Sequence, residues 1–252
     1  MTDLNEIMKL ETLAANAWPA RETRKIGGWL LRADNGITRR ANSVLPLGSP
    51  SVEVELAITD VINFYQKRNI TPRFQMTPAC GPPELDKILD EDGFSIGLSV
   101  HIQINSLSNI IATSMRHDVT IDFSPKDNWI AAYGRLGEYS GLSLEIRRGI
   151  MDRIPLQKGF ASLSVNDEIV GVCLGVVENT WLGIFALIVD KKYRRHGIGA
   201  DLNSGLAMWA ESLGSTNAYL QVETRNKPAI AFYKSLGFKT LYNYWYRLLD
   251  GE

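Results

Sequence analysis

From Val189 to Ala200 the chain reads Val-Asp-Lys-Lys-Tyr-Arg-Arg-His-Gly-Ile-Gly-Ala, with two glycines where an apolar β-forming run gives way to an amphipathic helix. Trp181 to Val189 reads as a buried strand, and Leu202, Leu206, Trp209 and Leu213 recur at helical spacing. Gly197 and Gly199 therefore fall in the first turn of the helix. There the backbone N–H groups have no intrahelical partner and the helix dipole is positive, and a missing Cβ lets a phosphate come close to the main chain. Arg194 and Arg195 add charge beside it. A dinucleotide loop would need Gly-x-Gly-x-x-Gly, and a nucleotide triphosphatase would need Gly-Lys-Ser/Thr. Here Gly199 is followed by Ala200, Asp201 and Leu202. The expected ligand is a phosphate group without a Walker-type magnesium site.

A second constellation lies downstream. Ala218 to Glu223 alternates like a strand, and Asn226-Lys227-Pro228-Ala229-Ile230-Ala231-Phe232-Tyr233-Lys234-Ser235-Leu236-Gly237-Phe238 follows. Pro228 suits the first turn of a helix and Gly237 its C-terminal cap. With Arg-x-x-Gly-x-Gly, a helix, a strand, Asn-x-x-Ala-x-x-x-Tyr and Gly-Phe in that order, the region from Phe160 to about Arg247 resembles the acetyl-CoA-binding core of the GNAT superfamily of N-acetyltransferases.

The resemblance implies an α/β (α+β) fold with a mixed central β-sheet flanked by helices, acetyl-CoA as co-substrate, no metal, and a set of roles. Main-chain amides of Arg195, His196, Gly197, Ile198 and Gly199 would bind the CoA pyrophosphate beside Arg194, with Ala200 closing the turn. Leu187, Ile188 and Val189 would offer strand-edge amides to the pantetheine and the thioester carbonyl. Asn226 matches the asparagine that bonds the pantetheine arm, and Tyr233 the tyrosine that protonates the departing thiolate. The chemistry agrees: pre-placed N–H donors meet the developing oxyanion, and a phenol within reach delivers a proton to the thiolate. The alternative for Tyr233 is an amphipathic tyrosine packed at a helix edge.

The general base departs from the pattern. Some relatives carry a glutamate where Gln221 stands, and a neutral amide cannot accept the amine proton. Glu223 shares the face of Gln221 by strand alternation and is a candidate base, directly or through water; Glu178 is another. Either residue also reads as a solvated strand-end carboxylate.

The 252 residues suffice for one large or two small domains. Their 27 basic and 28 acidic side chains nearly cancel, so no global field draws the chain to nucleic acid or anionic membrane. No apolar run approaches the ~20 residues of a membrane span, and the start Met1-Thr2-Asp3-Leu4-Asn5-Glu6 is too acidic and polar for a secretory signal, so a cytoplasmic protein is expected, monomeric or homodimeric. Cys80 and Cys173 show no metal-ligand pattern; Cys173 reads as a core residue and Cys80, before Gly81-Pro82-Pro83, as exposed. His196 belongs to the presumed phosphate loop, whereas His101 and His117 read as structural or surface residues.

Residues 1–110 read as a separate unit from residues 111–252. Asp34-Asn35-Gly36 between the β-like runs Gly28 to Arg32 and Ile37 to Leu45 is a hairpin signal. A helix is expected from Val52 to Tyr65, a strand from Pro72 to Met76, a short helix from Pro83 to Asp90 and a strand from Ser95 to Ile104. Phe74-Gln75-Met76-Thr77 and Leu220-Gln221-Val222-Glu223-Thr224 each follow a helix and precede another closed by Gly-Phe, at Gly93-Phe94 and Gly237-Phe238. This suggests an internal repeat, a second GNAT-like half. Pro46-Leu47-Gly48-Ser49-Pro50-Ser51 holds no Arg-x-x-Gly-x-Gly, and no tyrosine matches Tyr233 before Gly93. The first half is expected not to bind CoA. Its segments around Trp18, Gly27 to Arg32 and Arg39 to Gly48 resemble the N-terminal part of bacterial two-domain GNAT proteins.

Arg39 and Arg40 either hold an acidic group of the acceptor or serve as outward or interface charges. Trp18 and Trp29 read as packing residues. Asn105 to Ser114 reads as a linker, Val119 to Phe123 as a strand, and Asn128 to Tyr139 and Leu144 to Met151 as helices that cover the acceptor cleft in the GNAT pattern. Glu145, Arg147 and Arg148 there are candidate acceptor contacts or a solvated face. Phe160 to Val165 and Ile169 to Val177 form the expected hairpin. The main reading is transfer of acetyl from acetyl-CoA to a small-molecule amine by direct attack in a ternary complex. The alternatives are a protein N-terminal or lysine acetyltransferase and a non-catalytic acyl-CoA-binding module.

Overall fold

A computed structural model describes residues 3–112 and 115–249. The chain forms two compact units, Met1–His101 with Tyr242–Glu252, and Ile102–Leu241. The sequence placed the division at 110/111, in a polar stretch. The structure places it inside a strand and returns the C-terminal residues to the first unit. Among the described residues no helix is long and apolar enough to cross a membrane.

The first unit opens with α1 (Leu4–Ala17), whose N-cap Asp3 accepts from the Asn5 amide at 3.0 Å. Ile7, Leu10, Leu13, Ala14 and Ala17 form its buried stripe. Then come β1 (Glu22–Ile26), β2 (Trp29–Ala33), β3 (Val44–Pro46), α2 (Val54–Gln66), β4 (Arg73–Met76), α3 (Leu85–Glu91) and β5 (Ser95–Ser106), which leaves the unit after His101. The core centres on Trp29, Phe74 and Phe94, packed edge to face with centroids 5.3 and 5.6 Å apart.

The tight hairpin expected at Asn35-Gly36 is corrected. The turn that pairs neighbouring strands is Gly27-Gly28, with Ile26 opposite Trp29 and Gly27 at φ 56°. β2 and β3 are antiparallel, but residues 34–43 between them form a loop folded around a buried asparagine. Asn42 Oδ1 accepts from the Asp34 and Gly36 amides at 2.6 and 2.9 Å, and its Nδ2 donates to the carbonyls of Asp34 and Thr38. One internal side chain thus satisfies the backbone groups that a tight turn would have paired. Arg39 and Arg40 lie in this loop rather than on a strand, so alternation does not govern them; Arg40 sits over the Trp18 ring, 5.0 Å from its centroid. Trp18 and Trp29 are buried packing residues.

The second unit contains the rest of β5, α4 (Leu107–Ile111), β6 (Thr120–Asp122), α5 (Asp127–Gly137), α6 (Gly141–Arg153), β7 (Gln157–Val165), β8 (Glu168–Glu178), β9 (Trp181–Val189), α7 (Ile198–Ser212), β10 (Asn217–Glu223), α8 (Lys227–Ser235) and the start of β11 (Lys239–Leu248). β6, β7, β8 and β9 are antiparallel neighbours, while β9 and β10 are parallel. Each unit is α/β with a mixed sheet; in the first, β3 and β4 are the parallel pair and β4 runs antiparallel to β11. α7 buries Ile198, Leu202 and Leu206 against Leu163, Val170, Ile184 and Leu220.

Two further expectations are corrected. The Asn105 to Ser114 linker is largely ordered structure: Ser106 caps α4, and Leu107 and Ile110 are fully buried in the core of the second unit, because one helical turn puts both on one face. Its last two residues, Thr113 and Ser114, lie outside the described residues. Cys80 is not an exposed thiol. Its Sγ accepts from the Thr77 amide at 3.0 Å, and burial pushes its pKa up to about 12.

Candidate functional site

β9 is interrupted before it reaches the glycines. Ala186 has φ 51°, and between Val172 and Leu174 the pairing with β8 slips by one residue, Val172 opposing Ile188 and Leu174 opposing Phe185. This is a β-bulge on β9. The parallel ladder to β10 also stops, with Leu220 opposite Ile184 as its last pair, although β9 continues to Val189 and β10 to Glu223. The two strands fork there. Past Ile184 the edge of β9 that faced β10 has lost its partner strand: Leu187 and Val189 turn their backbone groups to that edge, whereas Ile188 pairs back to Val172 of β8.

Beyond the fork, Asp190 caps a single 3₁₀ turn by accepting from the Lys192 amide at 2.8 Å. Arg194 Nε donates to the Val189 carbonyl at 3.2 Å, tying the loop back to its strand. Arg195 has φ 68° and Gly197 φ 89°, and Gly197 is the N-cap of α7. The Ala200 and Asp201 amides donate to the Gly197 carbonyl at 2.8 and 3.0 Å. The amides of Gly197, Ile198 and Gly199 precede the first intrahelical donor, the Ala200 amide, so this is the set an anion would complete. Gly199 is also a close-packing position: a Cβ there would lie 3.1 Å from the Phe232 ring.

A cleft of about 650 Å³ connects these pieces. It is lined by Leu187, Ile188 and Val189 from β9, by Arg194, Arg195, Gly197, Ile198, Gly199 and Ala200 from the glycine turn and the start of α7, and by Asn226 and Phe232 at the cap and on the body of α8. Asn226 caps α8 by accepting from the Ala229 amide at 3.2 Å, which commits its Oδ1 and leaves the side-chain NH₂ as its donor. His196 is exposed and does not line the cleft.

Tyr233 lies in the core rather than on the cleft wall. It is 8 % exposed, its ring packs against Phe232 and Phe238 with centroids 5.1 and 5.6 Å apart, and it belongs to the same buried cluster as Cys173. Burial drives its pKa above the ordinary value. Gln221 and Glu223 are half-buried on one face of β10, and Glu223 accepts from Arg225 Nε at 2.8 Å. Glu178 is half-buried at the end of β8, opposite Trp181.

The candidates on α6 are spread out. The Arg147 guanidinium stacks on Tyr139, 4.0 Å from the ring centroid, Arg148 pairs with Asp127 at 2.8 Å, and Glu145 is exposed. Two features escaped the sequence reading. Ala186 carries the bulge without a glycine to announce it. Arg116 lines the cleft from the segment before β6, and an arginine–histidine pair upstream of a strand was its only signal.

Residues 4–247 match the family described as "Probable histone acetyltransferase Rv0428c C-terminal". The chain belongs to this family, within the GNAT acetyltransferases. A relative from Bacillus subtilis strain 168, the uncharacterized N-acetyltransferase YobR, is 28% identical over 257 residues, covering 97% of this chain and 99% of its own. In fold, this GNAT protein is similar to a GCN5-related N-acetyltransferase from Kribbella flavida, with TM-score 0.72 at 14% identity, covering 100% of this chain and 97% of the other. It is also similar to a tandem GNAT protein from the clavulanic acid biosynthesis pathway, with TM-score 0.60 at 13% identity, covering 77% and 68%. These likenesses show a GNAT fold in a two-domain arrangement.

Proposed function

We propose that the second unit is an acetyl-CoA-dependent N-acetyltransferase that acts on the primary amine of a small molecule by direct attack in a ternary complex, and that the first unit takes no CoA. The observation that carries this reading is that one cleft contains both an uncommitted helix N-terminus with positive-φ residues and a strand edge opened by a fork. The first suits a pyrophosphate and the second an extended amide-bearing arm, the two chemically distinct ends of CoA.

The residues then divide the work. The amides of residues 195 to 199, with Arg194 and Arg195, hold the phosphates. Amides of Leu187 and Val189 hold the arm and meet the charge that develops on the thioester oxygen as the amine attacks. Asn226 donates to the arm. The Tyr233 phenol, the acid by position in the motif, donates to the sulfur as CoA leaves, which requires the thioester to reach beyond the residues that line the cleft. Glu223 takes the amine proton, directly or through water, because Gln221 has no basic lone pair to offer. A second reading, acetylation of a protein amine, is favoured by the description of the matched family as a probable histone acetyltransferase.

Thermal stabilisation by acetyl-CoA tests the donor site, with dephospho-CoA and ATP as comparisons. A ligand at about 100 times its Kd adds about 2.7 kcal/mol to the folded state. A selective upward shift is expected. No shift at millimolar acetyl-CoA removes the reading.

A further inference from the structure

A carboxylate stands where an anion site should not tolerate one. Asp201 is in the first turn of α7, 1 % exposed, one helical turn from the amides that face the cleft. Without donors of its own it would compete with a phosphate for the free amides of the turn. Its two oxygens are both taken: the Arg116 amide donates to Oδ1 at 3.3 Å, and His117 Nδ1 lies 2.6 Å from Oδ2. The same face of α7 carries Ser204, whose hydroxyl donates to the Ile110 carbonyl at 2.8 Å, and Gly205, where a Cβ would come within 3.0 Å of Val119. Asp201, Ser204 and Gly205, at i, i+3 and i+4, make a polar, small-residue groove that fixes the chain entering β6.

The result is the placement of one side chain. Arg116 runs over Gly197: a Cβ at Gly197 would be 3.4 Å from Arg116 Cδ and 3.9 Å from its Nε and Nη1. Arg116 lines the cleft, and among the described residues its guanidinium has no carboxylate partner. Gly197 therefore serves twice, by adopting positive φ and by leaving room for this arginine.

We propose that Arg116 is a phosphate-binding residue of the acetyl-CoA site, supplied from outside the glycine loop, and that His117 and Asp201 are positioning residues that latch it over the helix N-terminus. This rests on the donor-site reading above. Charge-assisted bonds of this kind correspond to roughly tenfold or more in affinity.

The experiment is a set of dissociation constants for acetyl-CoA, acetyl-dephospho-CoA and S-acetylpantetheine with the full-length wild type, R116A, H117N, H117L and R116A/H117L. R116A is expected to weaken acetyl-CoA roughly tenfold to a hundredfold while leaving S-acetylpantetheine unchanged. If the penalty persists with the dephospho ligand, Arg116 meets the pyrophosphate; if it vanishes, Arg116 meets the 3′-phosphate; both support the proposal. H117L is expected to lose most of the same affinity, H117N to retain it by keeping a donor near the Nδ1 position, and H117L to add nothing in the R116A background. Wild-type affinity in R116A, or an equal loss for S-acetylpantetheine, overturns the proposal alone. Failure of the wild type to bind acetyl-CoA overturns the donor site, and this inference with it.

Discussion

The two units carry the same parallel strand pair with opposite endings. In the second, β9 and β10 part after Ile184 and Leu220, and the gap leads to the glycine turn of α7. In the first, β3 and β4 meet at Val44 and Phe74, and the space past the end of β3 is filled by backbone. The Gly81 amide donates to the Pro46 carbonyl at 2.9 Å and the Gly28 amide to the Ser49 carbonyl at 2.8 Å. A Cβ on Gly28 or Gly81 would lie 2.7 or 2.6 Å from the Gly48 carbonyl carbon. The helix that follows, α2, has Glu53 at its N-cap and Glu55 in its first turn where α7 is preceded by Arg194 and Arg195. Glycines in one unit let backbone touch backbone; in the other Gly197 and Gly199 line an open cleft, the proposed donor site. On the proposed function, binding capacity lies in the ending of the strand pair rather than in the parallel pairing, which both units share.

The central glutamines diverge in the same way. Gln221 is half-buried on β10, whereas Gln75 on β4 is 1 % exposed and joins two buried charges. Arg32 Nη2 donates to Gln75 Oε1 at 2.8 Å, and Gln75 Nε2 donates to Glu11 Oε2 at 2.6 Å. Tyr242 donates to Glu11 Oε1 at 2.7 Å. Burial raises the Glu11 pKa from its ordinary 4.5 to about 7, with Tyr242, Arg32, Arg40 and Gln75 opposing. A half-buried glutamine in one unit has as its counterpart an internal polar tie in the other.

The largest effect is expected from Gly197→Val. A β-branched residue at φ 89° is strained, and its Cβ would press on Arg116, so stabilisation by acetyl-CoA should be abolished while the ligand-free protein still unfolds cooperatively. Retained stabilisation would mean that the glycine turn is not the anion site. Gly28→Ala should do the reverse. With no room for a methyl group, it is expected to cost about 3 kcal/mol in a urea melt, while the folded fraction binds acetyl-CoA with wild-type affinity.

Glu11 sharpens the contrast through pH. Its carboxyl binds a proton more tightly in the folded than in the unfolded chain, so its contribution is fully present below pH 4.5 and lost as the pH rises through about 7. That difference amounts to about 3 kcal/mol. Glu11→Gln, which still accepts from Gln75 and donates to the Tyr242 oxygen once that hydroxyl rotates, as the protonated acid would, should flatten this part of the stability profile; an unchanged profile would place the titration elsewhere. Tyr233→Phe removes only a buried hydroxyl and should slow turnover roughly a hundredfold with acetyl-CoA affinity kept. Equal turnover would leave Tyr233 as a core residue.

Sequence patterning located α7, β9 and the glycine turn because apolar periodicity and glycine placement follow directly from burial and φ. It missed what depends on a single distant partner. The loop at residues 34–43 turns on Asn42 reaching back to Asp34, which no local window contains. The fork depends on Ala186, an ordinary helix former held at positive φ by its neighbours. Arg116 enters the cleft because Asp201, far along the chain, holds its amide. The apolar i, i+3, i+4 stripe of α1 with Asp3 at its cap was legible and went unread, and with it Glu11.

The comparison of the two endings is tested most directly by calorimetric titration of the full-length protein with acetyl-CoA, read for stoichiometry. The account predicts one site per chain, abolished by Gly197→Val and unaffected by Gly28→Ala in the folded fraction. Two sites per chain, or one that survives Gly197→Val, would contradict it.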